Sequence, residues 1–373
     1  MSDLLRSDTP MGRALAVRVL GHGAAIGAQA DTAELLDLTR PEPQETAAPI
    51  RKAAKAALER GETHYTARTG ILPLRQAIAG MSTVDGFPAT AEGVAITNGG
   101  AEALYIALQA TLQPGDRALL LEPVAPRVID VVRFIGAQPV VLTDIEDARL
   151  EGGDVVVVSA PSSLSSVAMP DHGLTVLLEA ARKQDVTVIV DRSAAPDRYQ
   201  PAPPFARPDL AAEVITVGSF SGGYGLAGWR VGYFTSPPDG MERLAGLKES
   251  MSICTTTVAQ FAAQAALEHA GELLALERDR FTRRRDMLIQ ILAASGIPVI
   301  QPDVYPALLI DIRQSGMDDH RFAQRLASEA GVVVEPGSIF GESLAGHVRI
   351  NLGVEETMLI EGVTRLASFV EAG

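Results

Sequence analysis

Runs of valine, isoleucine and leucine recur along the middle of this chain with helical patterns between them, and that alternation restricts the fold more than any other feature. The runs are VAIT (94–97), ALLLEP (118–123), PVVL (139–142), VVVVSAP (155–161), VTVIVD (186–191) and VITVGSF (214–220), separated by segments such as GLTVLLEAARKQ (173–184). A strand that is apolar at every position, and not at every second one, is covered on both faces, as in a parallel sheet sandwiched by helices. The spacing predicts an α/β core with a mostly parallel sheet and right-handed crossovers. Ligands of such sheets sit at the carboxyl ends of the strands, so function is sought in the residues that follow each run.

A chain of 373 residues is longer than one core supports, since cores stop growing near ~250–300 residues. The expected division is an N-terminal arm or part of a small domain over 1–45, a large domain over 46–240, and a connecting helix with a smaller α+β domain over 241–373. The arm ends in the proline-rich TRPEPQETAAP, and the first clear helix runs from Ile50 to Arg60. One long helical pattern, Met241 to His269, leads to the strand-like ALLIDI (307–312) and HVRINL (347–352).

A net charge of −14 disfavours phosphodiester and anionic-lipid partners. No apolar run nears the ~20 residues of a membrane span, and no block at the N-terminus reads as a secretory signal. The expected address is therefore the cytoplasm, with no nucleic-acid or membrane partner. Cys254 is the only cysteine and reads as a small buried hydrophobe, and the six histidines never fall at i, i+4 spacing, so no metal is expected.

Four stretches carry more specific information: THYTARTGILPLRQAIA (63–79), TNGGAEALYIAL (97–108), SFSGGYGLAGWRVGYF (219–234) and GVVVEPGSIFGESLAGHVRINLG (331–353). In this order they resemble the class I/II, aspartate aminotransferase-like family of fold-type I pyridoxal-phosphate (PLP) enzymes. The resemblance implies a large cofactor domain, a small domain built from both chain ends, and a homodimer with active sites at the interface. It implies that Gly99, Gly100 and Ala101, with Ser219, Arg230 and Tyr65 from across the dimer, hold the cofactor phosphate. The physical sense is plain, because a helix N-terminus presents amides and a dipole to an anion and arginine adds a planar fork. It also implies that Asp191 pairs with the pyridine nitrogen and that Arg349 clamps a substrate carboxylate. Read without the family, Asp191 is a strand-end aspartate that caps the following turn.

The departures from the pattern are as informative. Gly222, eight residues before Arg230 and 31 after Asp191, stands where the family keeps the lysine that links to the cofactor and carries its proton. YGLAGWRVGY then continues in register. Only Lys52, Lys55, Lys183 and Lys248 remain in the chain, all in helical patterns and read as solvated charges. Ala125 replaces a stacking aromatic, Ser163 (kept as a substrate-binding candidate) the asparagine that bonds the ring's phenolic oxygen, Ala194 a tyrosine, and Pro41 a glycine whose amide is lost with it. Tyr224 is kept.

Three readings follow. The first is a repurposed enzyme for a carboxylate- or phosphate-bearing small molecule, with Tyr224, Asp191 and His64 as acid/base candidates. It either holds PLP or its amine form (PMP) noncovalently or uses no cofactor. The second is a non-catalytic paralogue that senses a ligand or supports a partner subunit. The third is a conventional aminotransferase with an amine from elsewhere. Loss of a proton-transfer group typically lowers a rate ~10²–10⁴-fold, so ordinary transamination is expected to be slow or absent.

Overall fold

The computed structural model describes residues 35–41, 45–144, 149–200 and 203–372. Most of the expected N-terminal arm, residues 1–34 and 42–44, lies outside them. In chain order the first elements are β1 (Leu36–Asp37), α1 (Ala48–Glu59), α2 (Leu72–Val84), β2 (Val94–Thr97), α3 (Gly100–Thr111), β3 (Arg117–Leu121) and α4 (Pro126–Ile135). Next come β4 (Gln138–Leu142), β5 (Val155–Ser159), α5 (Asp171–Gln184), β6 (Thr187–Asp191), α6 (Pro208–Ala211), β7 (Ile215–Ser219) and β8 (Gly232–Thr235). The chain closes with α7 (Pro238–Ser252), α8 (Thr257–Glu268), α9 (Ala270–Ala294), β9 (Val299–Ile300), β10 (Ala307–Asp311), α10 (Asp319–Ala330), β11 (Val332–Val333), β12 (Glu335–Pro336), β13 (His347–Asn351) and α11 (Glu356–Ala372).

The seven-stranded sheet has the order β2-β8-β7-β6-β5-β3-β4. Strands β3 to β7 run parallel, and β8 alone opposes its neighbours β2 and β7. The unbroken apolar runs are explained by what lies on each face. Val155 and Val157 of β5, with Ala118 and Leu120 of β3, join one core beneath α3, α4 and α7, while Val156, Val158, Leu119 and Leu121 join another beneath α5. Both faces are covered, so both sets of positions must be apolar.

A second sheet, β12-β13-β10-β9, is antiparallel. Its Leu308, Ile310, Val348 and Ile350 share a core with Phe281 and Leu288 of α9, Phe322 of α10 and Leu359 of α11. Leu38, next to β1, joins this core, and β1 pairs with β11. Met241, Leu244 and Ala245 of α7 belong to the core of the larger sheet. No helix among the described residues is long and apolar enough to cross a membrane.

The expected helix from Met241 to His269 is interrupted. Ile253 adopts φ +55° and the threonine run that follows makes tertiary bonds: the Thr255 hydroxyl donates to the Ile96 carbonyl at 3.1 Å, and Gln260 donates to the Thr255 carbonyl at 2.8 Å. Threonine hydroxyls that bond elsewhere compete with helix, which is why the pattern divides here. Lys248 also departs from expectation, being buried and not solvated, with Nζ donating to the Ile253 carbonyl at 3.2 Å. Burial lowers its pKa. Cys254 is half-buried, not a core residue.

Candidate active site

Because β2 is antiparallel to β8, and β8 to β7, β2 points the same way as β3 and β5 to β7. All of their carboxyl ends therefore meet at one edge, bringing together Gly99, Ala125, Ser163, Asp191 and Ser219 although they are scattered in sequence. Gly232 of β8 pairs with both Thr97 and Ser219, and a Cβ there would stand 2.9 Å from the Gly218 carbonyl oxygen. Glycine at that point lets the start of α3 come close to β7.

The start of α3 has the geometry expected of an anion cradle. Gly99 caps the helix at φ +90°, and a Cβ on it would lie 2.8 Å from Cζ of Arg230. Arg230 itself adopts φ +55°, which turns its guanidinium onto this helix end, where Nη2 donates to the Asn98 carbonyl at 3.3 Å. A Cβ on Gly100 would lie 3.1 Å from Oγ of Ser193 and 3.2 Å from Cβ of Ser219. Helix amides, a guanidinium and two serines thus stand around this helix end, groups of the kind that donate to a phosphate, with the Ser219 hydroxyl itself donating to Ser221 Oγ at 3.0 Å. Ser193 was missed in the sequence, where nothing distinguishes it from other turn serines.

Beside the cradle a cavity of about 300 Å³ is lined by Ala125, Ser163, Asp191, Ala194, Glu335 and Arg349, among others. Ala125 and Ala194 leave it without an aromatic wall at those positions. Asp191 accepts a bond from the Ser193 amide at 2.9 Å, so one carboxylate oxygen caps the next turn, as the residue-level reading allowed. Arg349 is already engaged. Glu335 lies opposite it in the β12–β13 register and accepts a charge-assisted bond from its Nη1, and its Nη2 donates to the Ser163 carbonyl at 3.4 Å.

The remaining candidates do not join this group. Tyr224 is buried on another cavity with Asp85, Phe87 and Arg192, and its hydroxyl donates to Sδ of Met81 at 3.6 Å. Burial raises its pKa, which removes it from acid/base work near neutrality in this setting. His64 and Tyr65 are exposed together at a separate hollow beside Cys254, with Tyr65 80% exposed.

A second residue that sequence reading overlooked is Asp197. Its carboxylate fills the space into which a side chain at position 222 would project: a Cβ on Gly222 would lie 2.7 Å from Oδ1 and 2.8 Å from Cγ, and closer to Oδ2. A Cβ on Gly223 would lie 2.6 Å from Leu274, 2.9 Å from Asp197 Oδ1 and 3.3 Å from the Tyr305 hydroxyl. Neither glycine has a positive φ, so neighbours and not backbone conformation account for the pair. Asp197 is 4% exposed and its Oδ1 accepts from the Gly223 amide at 2.6 Å. Burial pushes its pKa up to about 7, the amide opposes that rise, and the charge of Glu277 adds to it. Only the Gly-Gly pair in the sequence hinted that something large stands there.

A mostly parallel sheet with a helix-end anion cradle at its strand ends, capped by a smaller antiparallel sheet, is the architecture of fold-type I PLP enzymes. A model of the family described as aminotransferase class I and II matches residues 35–366, and the chain belongs to that family. It is 30% identical to an aspartate/prephenate aminotransferase of Thermus thermophilus, with 90% of each chain covered. It is 31% identical to an arginine–pyruvate transaminase of Pseudomonas aeruginosa, over 93% of this chain and 92% of that one. Among solved structures, the aspartate aminotransferase of Thermus thermophilus with maleate superposes with a TM-score of 0.85 at 28% identity, covering 98% of this chain and 100% of that one.

Proposed function

We propose that this chain binds a phosphate-bearing small molecule, PLP or PMP being the simplest, noncovalently at the Gly99–Arg230 cradle, and that it does not carry out ordinary transamination. The observation that carries the reading is the Asp197 carboxylate standing where a side chain at position 222 would begin. The phosphate end of the cofactor fits, because Gly99 and Gly100 let Arg230, Ser193 and Ser219 close on the amides of the helix end, where they can supply donors. The ring end is held more loosely, with Ala125 in place of a flat wall and Asp191 shared with a backbone amide. When bound, the cofactor supplies an electron sink. Asp191 would then orient its ring, and Arg349 would meet a substrate carboxylate only after parting from Glu335. We further propose a homodimer in which the exposed Tyr65 reaches the second copy's cradle, with lobes divided near α9.

A conventional aminotransferase is the second reading, and the names of the relatives favour it. It needs an amine within reach of the ring. Lys248, the one buried lysine, spends its Nζ on the Ile253 carbonyl, and no lysine lines either the Asp191 or the Asp197 cavity. A silent paralogue is disfavoured by the intact cradle.

The test is a paired titration. A noncovalent site reads the phosphate and not the aldehyde, so PLP and PMP are expected to bind within about threefold of each other by fluorescence. Arg230→Ala is expected to weaken both by on the order of 10- to 100-fold, the loss of a charge-assisted bond. PLP binding far tighter than PMP, or an Arg230→Ala protein binding as the parent does, would reject the proposal.

A further inference from the structure

A second cavity, of about 680 Å³, opens on Asp197 and shares none of Gly99, Gly100, Ser219 and Arg230 with the anion cradle. Among the described residues its lining holds two carboxylic acids, Asp197 and Glu277, and no lysine, arginine or histidine. Its larger walls are Trp229, Phe281 and Tyr305, with the last two stacked at 4.5 Å. Two polar groups there are left incomplete. Among the described residues the Tyr305 hydroxyl is buried with no hydrogen-bond partner, in a side chain only 2% exposed. Asp197 lines the same cavity and, among the described residues, receives one bond, at Oδ1, which leaves Oδ2 for a further donor. A buried hydroxyl such as that of Tyr305 is rarely left this way unless a ligand or water completes it.

The chemistry of the missing partner follows from the charges. An anion would face two carboxyl groups without a cation among the lining residues, whereas an ammonium ion would neutralise a buried carboxylate, donate to a tyrosine oxygen and lie against aromatic faces. The volume suits a molecule of modest size. We propose that this cavity binds an organic ammonium ion, with its charge against Asp197 Oδ2 and the Tyr305 hydroxyl and its carbon chain along Trp229 and Phe281. The inference is independent of what the cradle binds.

Other groups set the pH behaviour. The charge of Glu277 acts on Asp197, Asp197 in turn acts on Tyr224 and Tyr305, Arg278 acts on Tyr305, and Arg280 pairs with Glu277 at 2.7 Å. Because the carboxyl of Asp197 ionises only near pH 7, amine affinity should fall as pH drops below 7.

Calorimetric titration of the full chain with 2-phenylethylamine and with 2-phenylethanol, its uncharged counterpart, tests the site. The amine is expected to bind saturably at pH 8 and the alcohol at least about tenfold more weakly. Asp197→Asn should lose at least tenfold in amine affinity, and Tyr305→Phe should lose about threefold to tenfold. Cooperative melting of both variants establishes that they are folded. The proposal is overturned if the alcohol matches the amine, if Asp197→Asn binds the amine unchanged, or if no amine binding appears up to 10 mM.

Discussion

Asp197→Asn is expected to make this protein more stable at pH 8, and by an amount that depends on pH. In the folded chain the carboxyl of Asp197 is pushed from 3.8 up to about 7. Between those values the unfolded chain has released its proton and the folded chain has kept it. The unfolded state therefore binds fewer protons, and stability contributed by this group falls as pH rises through the window. Below pH 4 the penalty is absent, and above pH 7 it is complete, at on the order of 4 kcal/mol. Asparagine keeps the oxygen that accepts from the Gly223 amide and has no charge to bury. Urea denaturation of both proteins in amine-free buffer should show their stability difference widening by about that amount from pH 4 to pH 8. A difference that does not change with pH would mean that Asp197 is charged and solvated, contrary to its burial.

Gly222→Ala gives the second large effect, with a sign opposite to the usual one. Replacing a glycine of ordinary φ by alanine commonly stabilises a protein by ~0.4–1 kcal/mol through the unfolded chain. Here the added methyl meets Cγ of Asp197 at 2.8 Å and both its oxygens, and a short buried side chain cannot retreat as a long one would. Overpacking of this kind costs about 1–3 kcal/mol, so the steric term wins and the variant should be less stable than its parent. Pairing it with Asp197→Ala removes the obstacle. The two changes together should then destabilise by clearly less than their sum, the mark of residues in contact. Equal stability of Gly222→Ala and the parent protein would show that position 222 has open space around it.

The sheet was legible because each of its central strands faces two cores, which leaves a run of valines that few other folds produce. The gathering of Gly99, Gly100, Ser219 and Arg230 was legible because they lie in local motifs: a strand followed by two glycines and a helix, and an arginine at a fixed distance from a serine. What stayed hidden depends on contacts between distant residues. Asp197 sits in an unremarkable Pro-Asp turn, and nothing in the sequence says that it reaches Gly222. Glu335 and Arg349 pair only because β12 and β13 align them, so the sequence alone presents Arg349 as a free clamp. Lys248 looks like a surface charge until the break at Ile253 folds the end of α7 over its amine. The antiparallel β8, with a glycine at its start and only four residues, gave no apolar run to notice.

Reduction of the protein with borohydride after incubation with PLP, followed by intact mass and peptide mapping, tests the central claim most directly. The predicted result is a chain of unchanged mass, with the cofactor removed by gel filtration. A stoichiometric adduct on a single residue, Lys248 or any other, would contradict it and identify the amine of a working aminotransferase.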